Sequence, residues 1–391
     1  MFVKGREYAE VPCGLFRRGF AGLLACLAVC GAVFLEGCGE REPLEVGFAA
    51  PLSGTLSDYG LSNRRGVVLA VEEINARGGV KGRNLELVVK DDANDPATAA
   101  RVDRELIAED VVAIVGHFSS TATWAGYPVV EAAGVLMISP AASTEKLEGR
   151  DDGFLRMVNS HTEYGRKIAD YARDVLKLEK TGVFYDLANP DCVSGYAGAF
   201  KERFAASGGG HCGDYAFDAR EKTDVGELAE KAVADGCDGV LMIANAVDAA
   251  SFSQQIKLLK PDVRLMSSAW AQKDAFIENG GQAVEGVVFV SPLGMVESYA
   301  PLDDFKKRFK ERFGTEADLS AVLGYEAMKV LIGGLERADE LTTEAVKGAI
   351  LSRGMQPGLD GDFSMDEYGD PCRSVELYTV KDGAFTKIDS E

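Results

Sequence analysis

The sequence predicts an α/β protein with two doubly wound parallel-sheet lobes joined by a hinge. Three observations carry this prediction. Short apolar runs rich in β-branched residues alternate with segments whose apolar residues recur at helical spacing. That alternation runs once from Leu44 to Ile138 and again from Val183 to Val290. No low-complexity linker separates the two passages, so the lobes should be joined by strand-like crossovers.

The elements follow in order. Leu44 to Ala49 reads as a strand, and a loop with Pro51 and Gly54 leads to a helix marked by Val67, Val68, Val71 and Ile74. Gly78-Gly79 stops that helix, and Leu85 to Val89 is the second strand, ending in Asp91-Asp92. Pro96 opens a helix carrying Val102, Leu106 and Ile107. Val111 to Val115 is a third strand, apolar enough to be buried on both faces, and Val135 to Ile138 is a fourth. In the second passage, strands are expected at Val183 to Tyr185, Tyr215 to Phe217, Val240 to Ile243, Leu265-Met266 and Val287 to Val290, with Phe200 and Phe204 on a helix. Helices are expected from Leu302 to Phe313 and Leu319 to Leu335. A hairpin of Val375 to Val380 and Phe385 to Ile388 should turn at Asp382-Gly383. Crossovers near 159–161, 291–292 and 364–365 would divide the chain into a first lobe of 44–160 plus 292–364 and a second of 161–291 plus 365–391.

Composition narrows the function. The 391 residues carry 62 acidic against 42 basic side chains, a formal charge of −20, which repels phosphate backbones and anionic headgroups and argues against nucleic-acid binding. With 46% hydrophobic residues the chain can build a packed core. Three histidines leave little scope for a metal centre, and no Cys-x-x-Cys pair is present.

The N-terminus reads as an export signal. Arg17-Arg18 precede an uncharged run from Gly19 to Leu35, and Leu35-Glu36-Gly37-Cys38 follows. This tetrad resembles the lipobox of bacterial lipoproteins, apart from Glu36, where a small neutral residue is usual. The resemblance implies that residues 1–37 are removed and that Cys38 carries a lipid anchor. No later apolar run reaches the ~18 residues of a membrane span.

Seven motifs in order then resemble a known family. They are Leu52-Ser53-Gly54 with Asp58-Tyr59-Gly60; Ala70 to Asn75; Gly78 to Gly82; Asp91 to Pro96; Gly116 to Ser120; and Met137 to Ser143. Their sequence and spacing are similar to those of type I periplasmic solute-binding proteins, in the branch that binds leucine, isoleucine and valine for an ABC importer. The resemblance covers nearly all the chain after Cys38 and is densest over 44–160. It implies a type I binding-protein fold with a ligand held between the lobes, permease subunits as partners, and a place on the periplasmic or cell-surface side of the membrane. It implies no cofactor, no metal and no catalysis.

The resemblance also assigns contacts. Ser120 and Ser143 would offer hydroxyls and Ala141 its backbone to a ligand carboxylate, with Tyr59 as an aromatic wall; Ser and Thr at such places also serve as helix caps. Hydroxyls and free N–H groups at a strand end before a helix suit a carboxylate. In the second lobe the pattern frays. Cys192 stands where a tyrosine is usual, Ala246 lacks the aromatic, and Ala269 falls where the family has an acid. Trp270 is expected to line the pocket instead. Asp186 and Asp191 are the alternatives for an ammonium partner, though loop aspartates commonly cap or turn. The ligand is therefore expected to be a branched-chain or related amino acid, or alternatively a small carboxylate without an amino group.

The remaining features have blander readings. His117 lies three residues before Ser120, but no Gly-x-Ser-x-Gly elbow exists, so it is expected to pack or orient rather than to catalyse. Asp91-Asp92 with Asp95 lacks calcium-loop spacing and reads as a helix start. Tyr325 reads as core. Cys192, Cys212, Cys237 and Cys372 allow three pairings in an oxidising compartment, and the family's common first-lobe disulfide is absent at Asn94 and Ser119. Rival readings are an exported α/β hydrolase and a receptor component that presents ligand to a sensor protein.

Overall fold

The computed structural model describes residues 41–293 and 299–389. The leader at 1–37 and Cys38 lie outside the described residues. Among the described residues no helix is long and apolar enough to cross a membrane.

The first passage of alternation builds a five-stranded sheet. Strand β1 (Leu44–Ala50) lies between β2 (Leu85–Asp91) and β3 (Ala113–Gly116), followed by β4 (Leu136–Ser139) and β5 (Phe154–Arg156). Every pairing in this sheet is parallel. The order 2-1-3-4-5 follows from right-handed crossovers through α1 (Ser57–Ala76), α2 (Pro96–Ala108) and α3 (Ser120–Ala133). Residues 44, 46, 48, 113, 115, 136 and 138 bury one face of the sheet. Val67, Ala70, Val71 and Ile74 bury the matching stripe of α1 against them.

The second passage repeats this order. In the sheet β7-β6-β8-β9-β10, β6 (Lys180–Asp186) lies between β7 (Gly210–Phe217) and β8 (Gly239–Ile243), with β9 (Arg264–Ser268) and β10 (Val288–Ser291) outward. Helices α4 (His161–Asp174) and α5 (Pro190–Ala206) pack together, as do α6 (Val225–Ala234) and α7 (Ala246–Leu259), while α8 (Asp274–Gly280) packs on α7. The chain later adds an antiparallel edge, β14 (Glu376–Lys381) on β10 and then β15 (Ala384–Lys387). Asp382 and Gly383, both at positive φ, make the turn expected of them.

Between these passages, α9 (Ala300–Phe313), α10 (Leu319–Arg337) and α11 (Thr343–Leu351) contribute to the core of the first lobe. Helix α10 crosses α1 closely enough that a Cβ on Gly66 would fall 2.0 Å from the Ala321 carbonyl oxygen. Glycine at this crossing is a steric requirement.

The third passage between lobes departs from expectation. Ser364 and Met365 belong to β12 (Phe363–Met365), which pairs with β11 (Met355–Gln356) and β13 (Pro371–Cys372) in a small antiparallel sheet. This segment is tied to the first lobe: Asp370 forms an ion pair with the buried Arg156, and the Gly369 carbonyl accepts from Arg156 N–H. The chain joins the second sheet only at Glu376. A buried arginine that needs its carboxylate holds residues 366–372 against the first lobe.

Cys212 and Cys237 form a disulfide between β7 and the entry to β8. Cys192 is a buried free thiol and Cys372 an exposed one.

Candidate functional site

In open α/β sheets, ligands collect outside the carboxyl ends of the strands where the strand order reverses. Each sheet has such a point, at β1/β3 and at β6/β8, and residues from around both reach one cavity of about 110 Å³. At about 10–15 Å³ per water-sized group, it has room for roughly seven to eleven heavy atoms. Tyr59, Ser120, Ala141, Ser143 and Trp270, all singled out in the sequence, line it together.

On the first lobe, the residues after β3 divide their work. Ser119, not Ser120, caps α3: its Oγ accepts from Ala122 N–H at 3.2 Å and donates to Asn94 Oδ1 at 2.6 Å. Ser120 begins the helix, and its Oγ accepts from Ser143 N–H at 3.1 Å. Ser143 Oγ lies 2.6 Å from His161 Nε2. Burial first, and then the charge of Arg156, lowers the His161 pKa to about 3, so this imidazole is neutral. Two hydroxyls, a neutral ring and the amino end of α3 thus meet at one wall, a set that favours an anion.

Tyr59 spans the cleft. Its hydroxyl donates to the Trp270 carbonyl at 3.0 Å and accepts from Ala246 N–H at 3.1 Å, leaving its ring as the wall. Lys273 Nζ sits 4.0 Å over that ring and pairs with Asp58 at 2.7 Å and Asp318 at 3.2 Å. Across the cleft, the Asn189 carboxamide oxygen accepts from Thr121 N–H and Oγ1, and Asn94 donates to the Ala188 carbonyl at 3.2 Å. Lys146 pairs with Asp191. These contacts join residues of the two sheets on several sides of the cavity, the arrangement of a closed cleft.

The second-lobe wall has a different character. Cys192, Ser268, Ala269, Trp270 and Gln272 line it, with Tyr164 and Tyr196 beside His161 at ring separations of 6.4 and 5.9 Å. Neither aspartate considered as an ammonium partner reaches it. Asp186 is buried and accepts from Ala188 and Ala219 N–H, holding its own loop, while Asp191 pairs with Lys146. Among the described residues lining the cavity there is no Asp or Glu, and Lys273 carries the only full charge. Burial pushes the Cys192 thiol far above its ordinary range, so it is an inert lining group.

Tyr196, Ser268 and Gln272 were not legible as site residues. Each is at least 95% buried, yet Tyr196 Oη, Ser268 Oγ and both carboxamide atoms of Gln272 lack a hydrogen-bond partner in the protein. The flanking position of Ser268 and Gln272 around Trp270, at the end of β9, was the available signal. Tyr196 lies mid-helix on α5, where sequence gives no cue.

His117 sits outside the cavity. It is fully buried, with Nδ1 2.7 Å from Asp92 and Nε2 3.1 Å from both oxygens of Asp103. Burial alone would lower its pKa, but Asp103 and then Asp92 outweigh that and raise it to about 10, making a buried cation between carboxylates. Asp91 accepts from Leu52 and Ala93 N–H, and Asp95 caps α2 through Thr98 N–H. Among the described residues no three acidic, cysteine or histidine side chains cluster in a way that could hold a metal. Tyr325 is core and donates to Glu73 at 2.8 Å.

Comparison with known proteins points to one family. The family model described as periplasmic binding protein matches residues 43–384. A leucine-, isoleucine-, valine-, threonine- and alanine-binding protein of Pseudomonas aeruginosa is 26% identical over 359 residues, covering 89% of this chain and 92% of that protein. The crystal structure of a leucine-binding protein from Thermotoga maritima superposes with a TM-score of 0.81 at 26% identity, covering 88% of this chain and 98% of that one. An ABC transporter substrate-binding protein from Desulfitobacterium hafniense, solved with Leu, gives 0.72 at 25% identity, covering 89% of this chain and all of its own. With a repeated 2-1-3-4-5 sheet, a cavity between the strand ends and a family match over most of its length, this chain belongs to the periplasmic binding protein family.

Proposed function

We propose that this chain is the extracytoplasmic solute-binding component of an ABC importer, capturing a branched-chain or related amino acid between its lobes and delivering it to permease subunits. The observation that carries this reading is the cavity shared by the strand ends of both sheets, with Ser120 and Ser143 beside the amino end of α3. Ser120, Ser143 and the backbone of Ala141 grip the ligand carboxylate, while Tyr59 and Trp270 form walls. The first lobe takes 44–160 and 292–364 with the paired residues up to 372, and the second takes 161–291 and the chain from 376. The chain binds without turnover. Gly37-Cys38 after the apolar run supports export and a lipid anchor on Cys38. Cys38→Ala should then abolish lipid labelling and release the protein from membranes.

A thermal-shift screen over amino acids and small carboxylates tests the reading. A true ligand at 100 times its Kd adds about 2.7 kcal/mol to folded-state stability. No stabilisation by any carboxylate would sink it.

A second reading is favoured by one observation. No acidic side chain lines the cavity among the described residues, so a small carboxylate without an amino group fits the site as well as an amino acid.

A further inference from the structure

The polar groups of the cavity fall into two sets. On the first lobe, Ser120 and Ser143 are engaged with protein partners and stand ready in fixed positions. On the second, Tyr196, Ser268 and Gln272 are buried with polar atoms that no protein group satisfies. A buried donor or acceptor left unpaired is costly, and native structures seldom leave several in one place without a ligand or water to meet them. All three line the same cavity, so whatever fills it meets them.

Their chemistry restricts the ligand. Two hydroxyls and a carboxamide both donate and accept hydrogen bonds but carry no charge. An ammonium has only donors, and burying it without a carboxylate leaves its charge uncompensated. The one charged lining residue, Lys273, is itself a cation, and its carboxylate neighbours Asp58 and Asp318 are already paired with it. A hydroxyl or carbonyl in the same place pairs with the neutral groups at no such cost.

We propose that Ser268, Gln272 and Tyr196 form a neutral recognition wall that selects a 2-hydroxy- or 2-oxocarboxylate over the matching 2-amino acid. This rests on the second reading of the cavity, as a site for a carboxylate without an amino group, and refines it. Gln272 is the discriminating residue, because it offers a donor and an acceptor on one side chain.

Calorimetric titrations should use two matched sets on the full protein: leucine, 2-hydroxy-4-methylpentanoate and 4-methyl-2-oxopentanoate; then valine, 2-hydroxy-3-methylbutanoate and 3-methyl-2-oxobutanoate. In the set that binds, the hydroxy or oxo acid should be favoured over the amino acid by about tenfold or more, the scale of one well-made hydrogen bond. Gln272→Glu supplies an ammonium partner and should reverse that order. Gln272→Met, which keeps length and neutrality in case the glutamate variant fails to fold, should weaken the hydroxy acid and leave the amino acid within about twofold. Tightest binding of the amino acid by wild type overturns the inference while leaving the carboxylate reading intact. An unchanged preference in the folded Gln272 variants overturns the assignment to this wall. Failure of wild type to bind any of the six compounds overturns the carboxylate reading, and the inference with it.

Discussion

The two sheets share one strand order yet finish it with opposite chemistry. Beyond β3 and β4 the strand ends carry hydroxyls already engaged, Ser120 by the Ser143 backbone N–H and Ser143 by His161, and the supporting shell beneath them is ionic, with His117 locked between Asp92 and Asp103. Beyond β9 the ends are neutral, partly unsatisfied, and rest on an aromatic and alanine-rich core closed by a disulfide. One scaffold thus presents a preorganised anchor on one side and a discriminating surface on the other. The lesson is that equivalent places in a repeated fold need not do equivalent work.

The comparison breaks most readily at its ionic support. His117→Ala leaves Asp92 and Asp103 buried without their cation, and should cost about 3–5 kcal/mol of stability in urea denaturation. The pH dependence has a definite sign. Because the folded pKa of His117, about 10, exceeds the ordinary value of 6.5, its stabilisation is fully present below pH 6.5 and is lost as pH rises through about 10. Wild type should lose stability over that interval more steeply than a His117→Gln variant. Parallel curves would show that His117 is neutral in the fold.

The second lobe's counterpart is covalent. The Cys212–Cys237 bridge closes a separation of 25 residues, and Cys212→Ser should lower stability by about 3 kcal/mol on the loop-entropy account. Ligand affinity should hold within about threefold, since neither cysteine lines the cavity. A larger fall in affinity would mean the two supports are not independent.

At the anchor itself, Ser120→Ala should weaken carboxylate binding about 10- to 100-fold, from the ~1.5–3 kcal/mol of a hydrogen bond to a charged group. Folding should change little, because Ser119 makes the cap. Equal affinities in variant and wild type would remove Ser120 from the clamp. The smallest effect is expected at the rim. Lys146→Met removes a partly exposed pair with Asp191, worth about 0–1 kcal/mol, and should shift affinity by less than about fivefold.

What sequence revealed tracks how local the signal is. The buried strands announce themselves through short apolar runs such as Ala113–Gly116 and Leu136–Ser139, and the Asp382-Gly383 turn is set by two residues' own conformations. Ser120, Ala141, Ser143 and Trp270 all sit at or near strand ends, where position alone places them beside the cavity, while Tyr59 lies in the first turn of α1. The three-residue β5 was too short to show a period, and the third crossover was displaced by Arg156, more than two hundred residues away from its partner Asp370 in sequence. Disulfide pairing stayed open because only folding brings Cys212 beside Cys237. Gln272 and Tyr196 escaped notice because an unsatisfied polar atom is a property of surroundings, not of a residue type.

The Tyr59 hydroxyl addresses only main-chain atoms on the opposite lobe, the carbonyl of Trp270 and the amide of Ala246. Its grip is blind to which side chains stand there. Exchanging the side chains at 246, 269, 270 or 272 leaves that latch with both of its partners. Ligand preference on the second lobe can therefore drift by single substitutions while the closing contact is inherited unchanged, and a lineage built on this fold can acquire new solutes without re-evolving the way it shuts.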